Sequence, residues 1–129
     1  MDVTELIKKA AKAKEKAYVP YSGFHVGAAL LCKDGTVFTG CNIENSAYGP
    51  TNCAERTAIF KAVSEGYREF QAIAIISDSE EVTSPCGVCR QVMAEFCGPG
   101  FEVTMVSCNG DYKTVTLEEL LPYAFSMKK

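Results

Sequence analysis

Apolar and polar positions at the start of the chain recur with helical spacing. Residues 3–18 place Leu6 and Ala10 on one face of a 3.6-residue period, and lysines cover much of the remaining surface. Alanine dominates the apolar face, which is too weakly hydrophobic for a helix lying on a membrane, so we interpret the lysines as a solvated face. Pro20 should end this helix, because proline and the residue before it disfavour helical geometry.

The next apolar segments have the length and composition of strands. Residues 26–32 are small or apolar throughout. Asp34-Gly35 after them predicts a hairpin turn, with residues 36–41 as the partner strand. Residues 71–77 are rich in isoleucine and alanine, which predicts a strand buried on both faces.

Two helices are predicted in the middle of the chain. Residues 53–65 have apolar positions at helical spacing, and Gly66 closes them. The second helix is expected to open with Ser84 as N-cap and Pro85 in the first turn, and to run to about Phe96.

The last predicted elements are two strands and a short helix, over residues 101–107, 113–115 and 117–121. Asn109-Gly110 is a strong hairpin signal, so these two strands should be antiparallel. Thr116 with Glu119 three residues later forms a capping box for the helix. The order of elements predicts a single three-layer α/β/α domain over residues 1–129, with a five-stranded mixed sheet.

Composition and charge exclude several classes of function. The 129 residues have a formal net charge of −3, from 13 Lys and Arg against 16 Asp and Glu. This balance argues against a nucleic acid groove, which needs clustered positive charge. No apolar run approaches the roughly 20 residues of a membrane helix, and the N-terminus lacks the order of a signal peptide. We therefore expect a cytoplasmic protein with reduced thiols and no membrane partner.

The seven cysteines do not suggest a disulfide framework, because the count is odd and the expected compartment is reducing. Cys86 and Cys89 are three residues apart, so they share one face of the predicted helix and can share one ion. Cys53 stands at the start of another predicted helix. Helix N-termini favour the thiolate form that a metal requires, which makes these three cysteines candidate ligands.

Three readings of Cys86 and Cys89 compete. A redox dithiol is disfavoured because the usual thioredoxin-type strand–helix setting is missing. A structural zinc site needs four protein ligands, so a non-catalytic zinc module would have to recruit Cys41 or Cys97. Three ligands with an open fourth position are typical of catalytic zinc, and we favour this arrangement.

Glu55 becomes informative beside such a site. An acid in the first turn of a helix is favourable on electrostatic grounds alone. Close to a zinc ligand, however, its carboxylate can take a proton from zinc-bound water and deliver it elsewhere. Residues two apart point to opposite sides of a regular helix, so the site is expected beyond the N-terminal end of the helix.

Two joint motifs resemble a known family. Cys53-Ala54-Glu55 followed by Pro85-Cys86-Gly87-Val88-Cys89 resembles the zinc-dependent cytidine and deoxycytidylate deaminases, in their all-cysteine form. Residues 18–30 and 40–48 resemble the opening of the small cytidine deaminases. The resemblance extends over about residues 16–125.

The resemblance implies a reaction. The family hydrolyses cytidine and deoxycytidine to uridine and deoxyuridine with release of ammonia, a step of pyrimidine salvage. Zinc-bound hydroxide attacks C4 of the base, and Glu55 moves the protons. One Zn²⁺ per subunit is expected.

Site residues follow partly from chemistry and partly from the resemblance. Three thiolates leave the zinc site with a negative charge, so Arg56 should offset it, with Gln91 as a weaker candidate for the same role.

The resemblance implies that Asn42 and Glu44 hold the ribose hydroxyls and that Phe24 packs on the base. It also implies that Ala54 N–H and the carbonyls near Ser84 read the base edge. In the family, positions matching Ala47, Tyr48 and Phe125 reach into a neighbouring subunit of a homotetramer.

A deaminase of another substrate is the main alternative within this chemistry. The acidic balance and the short Asn109-Gly110 connection argue against the polynucleotide deaminases, which run their last two strands parallel. A blasticidin-type deaminase would share nearly every motif and stays open. The non-catalytic zinc module leaves Glu55, Asn42 and Glu44 unexplained as a group.

Overall fold

The structure, a computed structural model, describes residues 1–128, which contain four helices and five strands. In chain order these are α1 (Val3–Lys14), β1 (Val26–Cys32), β2 (Val37–Cys41), α2 (Ala54–Ser64), β3 (Phe70–Ser77), α3 (Gly87–Phe96), β4 (Glu102–Val106), β5 (Tyr112–Thr116) and α4 (Leu117–Leu120). The strands form one sheet in the order β2-β1-β3-β4-β5. Strands β3 and β4 are parallel, and the pairs β1–β2, β1–β3 and β4–β5 are antiparallel. The predicted α/β class and mixed five-stranded sheet are confirmed. Within residues 1–128, no helix is both long and apolar enough to cross a membrane.

The two faces of the sheet are covered by different helices. On one face, Leu6 and Ala10 of α1 pack against a cluster that includes Ala29 and Ala74. On the other, α2, α3 and α4 pack over a cluster that includes Ile75. The small residues of the first face let α1 lie close to the sheet, whereas the second face has the bulkier core. Because strand residues alternate between faces, the continuously apolar β3 supplies both clusters.

Close packing at Gly40 sets the position of the second helix. A Cβ atom on Gly40 would lie 2.5 Å from the carbonyl oxygen of Ala54. Only glycine in β2 therefore lets the first turn of α2 come this close to the sheet. The residues that begin α2, Cys53 and Glu55 among them, are held against the sheet edge for this reason.

The predicted hairpins are present. Gly35 and Gly110 have φ values of 94° and 90°, the left-handed region that turn glycines supply without steric cost. Both halves of the capping box between Thr116 and Glu119 are formed at α4. The bounds of the five strands and of α2 and α4 lie within one residue of the predicted ones.

Two predicted helix ends were wrong. Helix α1 ends at Lys14 instead of residue 18, because Tyr18 pairs with a distant segment: its N–H donates to the Asn42 carbonyl (3.0 Å), and its own carbonyl accepts from Glu44 N–H (2.9 Å). Helix α3 begins at Gly87, with Cys86 as N-cap instead of Ser84. The hydroxyl of Ser84 instead accepts a hydrogen bond from Arg90 Nη2 (2.6 Å).

Candidate active site

Two helix N-termini meet at the cysteines. Cys53 is the N-cap of α2 and Cys86 is the N-cap of α3, and both have extended backbone with ψ of 155° and 166°. Cys89 lies in the first turn of α3 and is fully buried. The sulfur atoms of the three residues lie within 4.8 Å of one another, and those of Cys53 and Cys86 are 3.9 Å apart.

The donor set fits a zinc ion. Neither N-cap thiol makes a capping hydrogen bond to its own helix in the described structure, so both sulfur atoms are available as ligands. Three sulfur donors at this separation suit Zn²⁺, which binds thiolates tetrahedrally and keeps an open position in catalytic sites. The two helix N-termini add positive potential that favours the thiolate form.

Arg56 lies against this cluster. Its Nη2 donates to Cys53 Sγ at 3.0 Å, one helical turn along α2. A hydrogen bond from Cys89, followed by that from Arg56, lowers the pKa of Cys53 to about 5. The same hydrogen bond with Cys53, followed by burial, raises the pKa of Cys89. Arg56 Nε is buried and has no partner within the described residues. The guanidinium is therefore directed at the sulfur cluster.

Glu55 is buried beside the same cluster. Only 4% of this residue is exposed, and burial raises the pKa of its carboxyl to about 7, with a further contribution from the Cys53 thiolate. Because Cys53 is an N-cap with extended backbone, the helical angle that separates residues two apart does not apply. The structure thus brings Cys53 and Glu55 to one cavity, and a carboxyl that titrates near neutral pH can both accept and donate a proton.

The cavity has a volume of about 230 Å³ and holds most of the predicted residues. Its lining includes Phe24, Asn42, Glu44, Cys53, Ala54, Glu55, Ser84 and Cys86. Sequence reasoning missed Thr51, Asn52 and Thr83, which also line it and which no motif distinguishes from ordinary polar loop residues. A larger cavity of about 500 Å³, lined by Lys9, Lys12, Lys16 and Lys61 among others, lies elsewhere and contains none of the predicted residues.

Asn42 is already engaged within the chain. Its Nδ2 donates to the Phe24 carbonyl (2.8 Å), and its Oδ1 accepts from Val26 N–H (2.9 Å). These two bonds fix the backbone on either side of His25 at the entry to β1. One N–H and one lone pair of the amide remain for a ligand.

Glu44 anchors the neighbouring loop. Its carboxylate accepts from the N–H groups of Tyr21 (3.0 Å) and Ser22 (3.1 Å), and from the Ser22 hydroxyl (2.5 Å). The Ser22 hydroxyl in turn accepts from Phe24 N–H (3.0 Å). The hydrogen bonds from Ser22, followed by that from Tyr21, lower the pKa of Glu44. Sequence reasoning missed Ser22, although its place next to a glycine of positive φ, Gly23, marks a shaped loop.

His25 forms a link outside the cavity. Its N–H and its Nδ1 both bond to Asp78 Oδ2, at 2.7 and 2.8 Å, and Lys14 Nζ lies 3.2 Å from the other carboxylate oxygen. The His25 N–H bond, followed by those from the His25 ring and Lys14, lowers the pKa of Asp78 to about 2. Since His25 follows Phe24, this link holds the aromatic wall of the cavity to the end of β3.

Tyr48, Phe125 and Gln91 lie outside both the cavity lining and the metal cluster. Tyr48 is 94% exposed and Phe125 is 70% exposed, so neither is packed in the core of its own chain. Gln91 has a different contact from the one expected: in the described structure its Nε2 donates to the Phe125 carbonyl (2.9 Å), and it makes no hydrogen bond to a cysteine sulfur. The C-terminal segment thus takes up one donor of this amide, and the role of Gln91 at the metal site stays a prediction.

Comparison with known proteins identifies the family. Residues 2–105 match the family described as the cytidine and deoxycytidylate deaminase zinc-binding region. The chain belongs to this family. It is 60% identical to the cytidine deaminase of Sporosarcina psychrophila over 126 residues, covering 98% of this chain and 93% of that one. It is 57% identical to the cytidine deaminase of Halalkalibacterium halodurans, with 98% and 96% covered.

A solved structure of the family has the same fold. The crystal structure of cytidine deaminase from Burkholderia pseudomallei superposes with a TM-score of 0.94 at 51% identity, covering 97% of this chain and 100% of that one. Membership in a zinc-binding family agrees with the donor set formed by Cys53, Cys86 and Cys89. The expected cofactor, Zn²⁺, and the expected enzyme class are confirmed at the level of the family.

Proposed function

We propose that this chain is a zinc-dependent cytidine deaminase that converts cytidine and deoxycytidine to uridine and deoxyuridine with release of ammonia, within pyrimidine salvage. The observation that carries the proposal is the meeting of Glu55 with three cysteine sulfurs at one small cavity. A buried proton carrier beside a thiolate metal site is what hydrolysis of an amidine C–N bond requires. Residues 1–129 act as a single domain in this proposal.

Cys53, Cys86 and Cys89 hold the zinc ion. A zinc ion held by these residues would supply Lewis acidity and would lower the pKa of a coordinated water molecule. Arg56 offsets the net negative charge of three thiolates and one Zn²⁺, since its guanidinium already donates to Cys53 Sγ. This hydrogen bond draws electron density from the sulfur, so that the three thiolates reduce the Lewis acidity of a bound zinc ion less than they otherwise would.

Glu55 moves protons during the reaction. It takes one proton from the water whose oxygen adds to C4 of the base, and it passes that proton to N3. It then delivers the second proton of the water to the amino nitrogen, the C4–N bond breaks, and ammonia leaves as the C4 carbonyl forms. Its burial, which raises its pKa to about 7, suits a group that must both accept and donate at neutral pH.

The cavity walls recognise the nucleoside. Ala54 N–H and the Ser84 carbonyl read the edge of the base, and Phe24 packs on its face. The free hydrogen-bonding positions of Asn42 and Glu44 hold the ribose hydroxyls. Both side chains also form hydrogen bonds to the loop that contains Phe24. The residues proposed to contact the sugar therefore also position the residue proposed to contact the base.

A second copy of the chain completes each cavity. Tyr48 and Phe125, with Ala47 beside Tyr48, project from the surface of one chain and reach the substrate of a neighbouring subunit in a homotetramer. The exposure of two large aromatic side chains, 94% and 70%, supports this arrangement. A cavity of about 230 Å³ on one chain is also small for a nucleoside, given that ligand pockets usually measure about 300–1,000 Å³.

An ultraviolet assay tests the proposed function directly. Purified protein loaded with zinc should decrease the cytosine absorbance of cytidine and of deoxycytidine, and a zinc chelator should stop the decrease. Ammonia release should match the loss of cytosine. Activity on blasticidin S, with none on either nucleoside, would replace the proposed substrate. No deamination of any of the three would reject the function.

A further inference from the structure

The last described residues of the chain are fastened to α3. Residues 122–128, which we call the C-terminal strap, lie outside helices and strands. Gln91 Nε2 donates to the Phe125 carbonyl in the middle of the strap (2.9 Å), and Lys128 Nζ donates to the Glu95 carbonyl at its end (2.5 Å). Just before the strap, Arg90 Nη1 donates to the Leu120 carbonyl (2.7 Å). The strap is therefore bound to one helix by hydrogen bonds at two successive turns, one donated by Gln91 of the helix and one by Lys128 of the strap.

The bond from Gln91 reaches the backbone of the residue whose side chain is exposed. Phe125 has 70% of its surface exposed, so packing against the hydrophobic core of its own chain contributes little to holding the ring in place. A donor on the carbonyl fixes the chain at residue 125 whatever the ring itself contacts. A ring on an irregular segment would otherwise lose conformational entropy each time that it packed on a partner.

We infer that Gln91 is a positioning residue: it holds Phe125 so that the ring is preorganised to pack on the base bound in a neighbouring subunit. This inference rests on the proposed function, which places Phe125 in that site. Binding that needs less ordering is tighter, so the contribution of Gln91 falls on substrate affinity and not on the chemical step.

The position of Gln91 relates the metal site of its own chain to the proposed substrate site of a neighbouring chain. Gln91 lies two residues after Cys89 on α3, the helix whose start holds two of the three zinc ligands. Its neighbour Arg90 donates from Nε to the Pro85 carbonyl (2.8 Å) and from Nη2 to Ser84 Oγ, which shapes the segment before Cys86. Helix α3 thus organises the metal site of its own chain and the aromatic ring offered to the next chain.

Steady-state kinetics with a double-mutant cycle test the inference. In Gln91→Ala and in Gln91→Glu, which has the same length but no donor, KM for cytidine should rise about 3–10-fold with kcat within about twofold, as expected for loss of one net hydrogen bond. Phe125→Ala should raise KM about 10–100-fold. In the Phe125→Ala background, Gln91→Ala should add less than about twofold, because it acts through the ring that is already missing.

Control measurements separate the outcomes. Gln71→Ala removes an exposed amide from β3 and should leave KM unchanged. Additive effects of Gln91→Ala and Phe125→Ala would overturn the inference, as would a fall in zinc per chain or in kcat at unchanged KM. Dissociation of Gln91→Ala into smaller species in sedimentation would assign it a structural role instead. A wild-type protein without activity on cytidine rejects the proposed function itself, whereas additivity in an active enzyme rejects only the role of Gln91.

Discussion

The metal end of the cavity and its substrate-facing rim are built differently. At the metal end, Cys89 is fully buried and Glu55 is 4% exposed, and their surroundings belong to two helices packed on the sheet. At the rim, Phe24 is 42% exposed, and outside the cavity Tyr48 and Phe125 are exposed more than that. The proposed proton carrier and the buried metal ligand are therefore positioned within one chain, whereas the aromatic side chains proposed to enclose a substrate are exposed on its surface.

The two regions also differ in what holds them. Helix α2 begins where Gly40 allows close approach to β2, so the metal end is positioned by packing of whole elements. The rim and the exposed segment with Phe125 are held by individual hydrogen bonds between loop backbone and the side chains of Asn42, Glu44 and Gln91. Loss of one group should be severe at the metal end and graded at the rim, and four predictions test this difference.

Glu55→Gln should give the largest loss. The amide keeps the size of the side chain but cannot accept the proton, so kcat for cytidine should fall by about 10²–10⁴-fold or more, the range for a general acid/base. Zinc per chain, measured by atomic absorption, should stay the same because Glu55 is not a ligand. Substantial activity in this variant would place the proton carrier elsewhere and remove the distinction between the two regions.

Arg56→Ala should come next. Without the guanidinium on Cys53 Sγ, the thiolate cluster keeps its full negative charge, so activity or zinc affinity should fall about 10–100-fold. The measurement is turnover together with zinc retained after dialysis against a weak chelator. Arg68→Ala is the matched control, because Arg68 donates to the carbonyls of Val63 and Tyr67 at the far end of α2. Equal turnover and zinc retention in both variants would contradict the role of Arg56.

Ser22→Ala tests the rim. This change removes the hydroxyl between Glu44 and Phe24 N–H, so the loop should be less well positioned and KM should rise about 3–10-fold with little change in kcat. Ser64→Ala, which removes a hydroxyl bonded to the Lys61 carbonyl on α2, is the control. A loss in kcat as large as that of Glu55→Gln would show that the rim takes part in the chemical step.

The smallest effect concerns pH and Asp78. Because the folded pKa of Asp78 is about 2 against an ordinary value of 3.8, its bonds to His25 and Lys14 stabilise the fold fully above about pH 4 and are lost as pH falls toward 2. The partly exposed carboxylate limits the size of this contribution. Thermal unfolding from pH 5 to pH 2 should show a shallower decline in Tm for Asp78→Asn than for the wild type. Identical slopes would show that this link does not stabilise the fold.

Much of the fold could be predicted because its signals are local. The apolar run at 26–32 and the turn glycines Gly35 and Gly110 specify strands and hairpins through neighbouring residues alone. The helix ends that were wrong depend on distant partners. Tyr18 pairs with the segment around residue 43, and Ser84 bonds to Arg90 on the following helix. Neither contact can be predicted from local residue propensities, because each joins residues through the tertiary fold.

The same distinction between local signals and distant contacts applies to the candidate site. The spacing of Cys86 and Cys89, with Cys53 and Glu55 at another helix start, predicts a three-thiolate metal site with a nearby carboxyl, because helix N-termini favour the thiolate form that a metal requires. Only the tertiary structure brings Cys53 Sγ within 3.9 Å of Cys86 Sγ, although the two residues are 33 positions apart. It also places Glu55 in the same cavity, and it pairs the Gln91 amide with the Phe125 carbonyl instead of with a sulfur atom. The physical reason is that residue chemistry and short spacing are properties of the chain, whereas which donor meets which acceptor depends on how the sheet and helices pack.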